Sequence, residues 1–131
     1  VIQPQAVCRF LGVMLDRQLW FHAHVAHALA RGTACLAAIR HLVGPRHGAA
    51  PTAVKRLYMS VAIPCVLYAA DVFLHPEGLD REGRRVRGSV GAIRKLATLQ
   101  RQALLLITGA LRTTATDVLE IHVGLLPFLQ W

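Results

Sequence analysis

Between Pro51 and Leu74 apolar residues return at spacings of three and four, through Val54, Leu57, Tyr58, Val61, Cys65, Tyr68 and Val72. At 3.6 residues per turn they form a single helix stripe. Lys55, Arg56 and Ser60 give the first turns a polar back. Ile63, Val66, Leu67 and Ala70 then make the second half apolar on every side, which predicts a central helix enclosed by protein or lipid. Pro51 suits the first helical position, where a missing N–H costs nothing. Pro64 deletes the hydrogen bond to the Ser60 carbonyl and crowds it, so a bend is expected there.

The same periodicity predicts a helix from Phe21 to Val43, with Val25, Leu29, Gly32, Leu36, Ile39 and Val43 on one face and His27, Arg31 and His41 turned away. Gly44-Pro45 ends it. Val90 to Ile107 is a second amphipathic pattern: Ile93, Leu96, Ala97, Ala103, Leu104 and Ile107 oppose Arg94, Lys95, Thr98, Arg101 and Gln102. Gln100 falls within the apolar face, where a buried amide requires a hydrogen-bond partner across the core. Thr108-Gly109 closes this helix, Thr113 to Thr116 offers hydroxyl caps, and Asp117 to Val123 is a short last helix stopped by Gly124. Residues 7–15 are apolar, partly β-branched and too short for a helix, which predicts a strand with a bulge at Gly12. The fold class is mainly α: a short N-terminal β strand or hairpin followed by a bundle of three to four helices.

Charge alters the picture more than composition does. Fifteen Lys and Arg against seven Asp and Glu leave a net charge of +8, a field that attracts polyanions. The basic run Arg81, Arg84, Arg85 and Arg87 lies in a Gly- and Pro-containing stretch between His75 and Gly91, which reads as solvated loop. The three cysteines are widely spaced, indicating reduced thiols in an intracellular protein rather than a disulfide framework or zinc site. His22, His24 and His27 do not offer three-ligand geometry on a helix and read as solvated or capping residues. No stretch is ordered like a signal peptide. The seven carboxylates include no pair placed for two-metal chemistry, and neither a Walker-type loop nor a GxSxG elbow occurs. A start at Val1 and an apolar run up to Trp131 suggest an excerpt of a longer protein.

Arg9-Phe10-Leu11-Gly12-Val13-Met14-Leu15-Asp16, followed by Leu19, Phe21 and His24, resembles the segment just after the catalytic palm in reverse transcriptases of non-LTR, LINE-type retrotransposons. Later blocks follow in that family's order: Leu57-Tyr58, then Pro64 with Tyr68-Ala69, where Ala69 and Phe73 replace the usual Gly and Trp. Leu99-Gln100-Arg101, the run Ile107 to Thr114, Ala115 where Pro is commoner, and Gly124-Leu125-Leu126-Pro127 complete the series. The resemblance implies the end of the palm and a primer-grip strand over residues 1–18 and two thumb helices over 19–74. It further implies a basic loop or insertion over 75–91, then a third and fourth helix leading into a connection region over 92–131. It implies catalytic aspartates upstream, hence no polymerisation by this chain alone and no cofactor of its own, with Mg²⁺ serving the parent polymerase. The implied partners are an RNA template and DNA primer duplex and the palm and fingers of the same polyprotein, and the implied location is nuclear.

On that reading Arg31, Lys55, Arg56, Arg94, Lys95 and Arg101, on the polar faces of three helices, are the candidates for phosphate contact. Phe10, Leu11 and Gly12 would lie near the primer end. Pro64, Tyr68, Gln100 and Gly109 would be structural. Two alternatives are a stand-alone helical module, derived from a mobile element, that binds nucleic acid or protein, and a membrane-associated helical protein. Apolar patches left bare at both ends would count against the module. Against the membrane, the run Met59 to Leu74 contains Pro64 and Asp71 and is shorter than the roughly 20 residues a bilayer needs.

Overall fold

The computed structural model describes residues 6–43, 48–75, 78–79, 85–86 and 88–128. A β-hairpin of β1 (Val7–Phe10) and β2 (Val13–Asp16) leads into the long helix α1 (His22–Leu42). Next come α2 (Pro51–Leu57), a π-helical turn (Tyr58–Ala62), α3 (Ile63–Val66) and the short α4 (Ala70–Phe73). A two-residue antiparallel ladder, β3 (Gly78–Leu79) with β4 (Arg85–Val86), precedes α5 (Val90–Thr108) and α6 (Thr116–Val123). The mainly α architecture with an N-terminal hairpin agrees with the sequence pattern. Arg85 lies on β4; Arg81, Arg84 and Arg87 of the basic run, and the Gly44-Pro45 helix stop, lie outside the described residues.

Three expectations need correcting. Gly12 is not a bulge: Leu11 and Gly12 form the two-residue turn of the hairpin, with φ of 46° and 86°. Two positive φ values in succession match the right-handed twist of the flanking strands, and only glycine adopts them without steric cost. The stretch from Pro51 to Leu74 is not one α-helix. Its middle widens into a π turn, in which Ile63 N–H reaches back to Tyr58 O, so that Pro64 enters near the start of a new α segment. A π turn is a known way for a helix to absorb an interior disruption. The extra residue in that turn rotates all that follows. Val54, Tyr58, Ala62, Ile63 and Val66 are therefore buried, while Val61 is exposed and Cys65 half-buried. Met59, Val61 and Pro64 face outward, so the second half is not enclosed on every side. Finally, the cap of α6 is Ala115, without a side-chain hydrogen bond, and not one of the flanking threonines.

The main core joins Leu36 and Ile39 of α1 to Tyr58, Ala62 and Val66, to Leu96, Leu99 and Leu104 of α5, and to Leu119 and Phe128. Burying each such leucine stabilises the fold by about 1.5–3 kcal/mol. Gly32 lies where α1 meets α3 and α5: a Cβ built there would meet Val66 Cγ2 at 2.5 Å and Leu99 Cδ2 at 2.6 Å. Only the missing side chain permits that approach. A smaller cluster of Val13, Phe21, Val25 and Phe73 seats the hairpin on α1.

Candidate nucleic-acid interface

Of the six cations expected to reach phosphate, several already have partners within the chain. Lys55 donates to the carbonyl of Val123 at 2.6 Å, satisfying an end group of α6 where the helix dipole favours a cation. Arg101 donates to Thr116 Oγ1 at 2.5 Å and to the Arg112 carbonyl at 2.7 Å, clamping the turn between α5 and α6. Arg31 points at the Cys65 sulfur, 3.7 Å away. Arg56, Arg94 and Lys95 are exposed. Arg94 lines a cleft of about 600 Å³ together with His75, Ser89, Glu120 and Phe128.

Sequence reasoning missed a second cationic feature. A cleft of about 650 Å³ runs between α1 and the C-terminal half of α5. Leu36, Ala37, Leu105, Leu106 and Ala110 supply apolar lining, Thr33 and Gln102 add polar groups, and Arg40 and Arg112 bring two guanidinium groups. Arg40 lies in the last turn of α1, where a cation is favoured, and Arg112 is held in place by the Arg101 clamp on its carbonyl. An apolar floor with exposed arginines suits a sugar–phosphate strand, which presents apolar sugar faces between anionic groups. The only advance signal for Arg40 was its place at a helix end; Arg112 comes from a turn and carries no periodic signal.

At the hairpin, the phenolic hydroxyl of Tyr68 donates to the Leu11 carbonyl at 2.8 Å. Phe10, Leu11, Leu19 and Trp20 are exposed by 60% or more, leaving an apolar end to the molecule. Leu111 and Ile121 are comparably bare on the α6 side. Asp16 organises the connection to α1: its carboxylate accepts from Phe21 N–H at 2.9 Å and Trp20 N–H at 3.1 Å. The Phe21 bond chiefly holds its pKa below the ordinary value.

His24 is not the solvated residue that its spacing suggested. It is buried, edge-on to Phe73, and its Nδ1 accepts the Met14 N–H at 3.3 Å. Burial pushes its pKa down; the Tyr68 backbone carbonyl opposes this and neighbouring His27 adds to it. Gln100, also buried, donates to Glu120 Oε1 at 2.7 Å and to the Leu126 carbonyl at 2.9 Å, joining α5 to α6 and the segment after it. Burial, and then Glu120, push the Tyr58 hydroxyl strongly upward. Among the described residues no three His, Cys, Asp or Glu side chains converge on a metal position. Nor is any described helix long and apolar enough to cross a membrane.

No family model and no solved structure matches the chain. It is 29% identical over 120 residues to the putative 115 kDa protein in type-1 retrotransposable element R1DM of Drosophila melanogaster, covering 92% of this chain and 11% of that protein. It is 28% identical over 120 residues to a retrovirus-related Pol polyprotein from type-1 retrotransposable element R1 3 of Nasonia vitripennis, covering 92% of this chain and 30% of that protein. The chain thus spans less than a third of either relative, and the similarity supports a retrotransposon origin.

Proposed function

We propose that the chain is the thumb-like portion of a retrotransposon reverse transcriptase, gripping an RNA template and DNA primer duplex without performing chemistry. The observation that carries this reading is the α1–α5 cleft, with Arg40 and Arg112 exposed beside an apolar floor. Phosphate contacts of this kind are indifferent to base sequence, as a polymerase sliding along its template requires. Arg56, Arg94 and Lys95 extend the cationic surface. In this reading Mg²⁺ and the catalytic carboxylates belong to the upstream palm and the site of action is the nucleus. Phe10 to Gly12, at the tip of the hairpin, lie near the primer end. The bare apolar residues at the hairpin and on α6 favour a piece of a larger assembly over a stand-alone module.

The test is binding of an RNA–DNA primer duplex to the purified chain over a salt series, with circular dichroism to confirm folding. The expected result is affinity that falls steeply with salt and does not depend on sequence. The pair Arg40→Gln and Arg112→Gln should lower affinity on every sequence and reduce the log–log salt slope by about 2. Absence of salt-dependent binding by the folded chain would overturn the reading.

A further inference from the structure

We propose that Cys35 and Cys65 are a redox-active pair that forms a disulfide on exposure to peroxide, stapling α1 to α3. The two lie on helices that pack together. The backbone approach at Gly32, against Val66, draws these helices close beside both cysteines: Cys35 is one turn beyond Gly32 on α1, and Cys65 immediately precedes Val66. A disulfide needs Cα atoms within about 7 Å, a separation that ordinary helix packing rarely reaches and a glycine crossing favours. Arg31, one turn before Cys35 on α1, directs its guanidinium to Cys65 Sγ at 3.7 Å. Both cysteines are free and half-buried, so a small oxidant can reach them.

The Cys35 thiol is pushed up by burial first and then by the neighbouring Cys65 thiol, with Arg31 opposing. The guanidinium contact of Arg31 on Cys65 assigns the roles. Cys65, beside the guanidinium, attacks a peroxide oxygen as the thiolate; the O–O bond breaks, sulfenic acid forms and hydroxide leaves, to be protonated to water. Cys35 then attacks the Cys65 sulfur, the S–O bond breaks, and the departing hydroxide takes the Cys35 proton as a second molecule of water. Two thiols are oxidised and one peroxide is reduced to two waters. Cys8, exposed on β1 and not on either of the two helices, has no part in it.

The test treats the full chain with hydrogen peroxide, quenches free thiols with an alkylating reagent, and maps peptides by mass spectrometry without reduction. The expected product joins the Cys35 and Cys65 peptides, lacks two hydrogens, leaves Cys8 alkylated and reverts with dithiothreitol. The oxidised protein should melt higher by roughly 5–10 °C. Cys35→Ser should leave Cys65 stalled as sulfenic acid, detectable with a dimedone probe, whereas Cys65→Ser should leave Cys35 largely unmodified. Independent alkylation of both thiols after peroxide, or cross-links dominated by Cys8 between molecules, would overturn the proposal. Arg31→Met, at an exposed position of α1, should slow disulfide formation several-fold; an unchanged rate would remove the guanidinium from the mechanism.

Discussion

Tyr68 and Leu11, 57 residues apart in sequence, are joined by a 2.8 Å hydrogen bond from the phenolic hydroxyl to the carbonyl at the hairpin tip. Its ring also roofs the next residue: a Cβ added to Gly12 would lie 3.1 Å from Tyr68 Cε1. One aromatic side chain therefore holds the turn by its polar end and limits it by its edge. The hairpin's orientation depends on the helix break that places Tyr68.

Removing the hydroxyl with Tyr68→Phe should cost about 0.5–1 kcal/mol, since the bond is exposed and water replaces it in part. Gly12→Ala should cost more, about 1–2 kcal/mol, because its φ of 86° is strained for any side chain and the ring crowds the new methyl. Urea titration measures both. Amide exchange should show faster opening of Val7 to Asp16 in either variant, with α5 unaffected. Uniform acceleration through α5 would mean that the hairpin is not a separate unit.

Ala69 stands in the left-handed region, φ 59°, at the break between α3 and α4. A Cβ costs roughly 1–2 kcal/mol there, partly offset by the greater unfolded-state entropy of glycine. Ala69→Gly should stabilise the chain by about 0.5–1 kcal/mol, read as a higher urea midpoint at unchanged slope. Destabilisation would show that the methyl's packing beside Phe73 outweighs the backbone strain.

These two sites also show what could be read from residue order and what could not. α1 and α5 were legible because each buries one face at a single period, although on α5 Ala97, expected on the apolar face, is exposed and Leu99 is buried instead. Gly109 and Gly124 were legible as stops because both end helices with positive φ. The π turn was not, since inserting a residue shifts the phase without any change in composition, and only Pro64 hinted at it. The Leu11-Gly12 turn lacks the Asn or Asp that usually marks such hairpins. The interface suffered most. Periodicity separates polar from apolar faces, but it cannot tell an arginine facing solvent from one reaching a carbonyl 11 residues away, as Arg101 does with Arg112.

Acid should loosen the hairpin end first. His24 titrates below its ordinary 6.5 in the fold, so the unfolded chain takes up the proton first as pH falls. Stability is therefore complete above about pH 7 and declines from about 6.5 down to the folded-state value. Asp16, held below its ordinary 3.8, adds a second loss, beginning near that value and completed as pH falls through its folded-state pKa. Urea midpoints measured between about pH 8 and pH 5 should drop, and His24→Gln, whose amide oxygen can still accept the Met14 N–H, should flatten that drop. An equal decline in the variant would assign it to other groups.

Structural and binding cations can be separated on the same set of variants. Lys55→Met removes the 2.6 Å bond to Val123 and leaves a helix-end carbonyl bare, so it should cost about 1–2 kcal/mol while keeping the salt slope of duplex binding. Arg40→Gln should do the reverse, because its exposed side chain faces the cleft: unchanged melting, and a slope smaller by about 1. Arg101→Met should move both, melting through the lost clamp and binding through a displaced Arg112, and a second substitution, Arg112→Gln, should then weaken binding little further. Melting curves and salt slopes from the same preparations decide it. Should Lys55→Met instead lose a full unit of slope at constant stability, Lys55 contacts phosphate, and its bond to Val123 is given up when duplex binds.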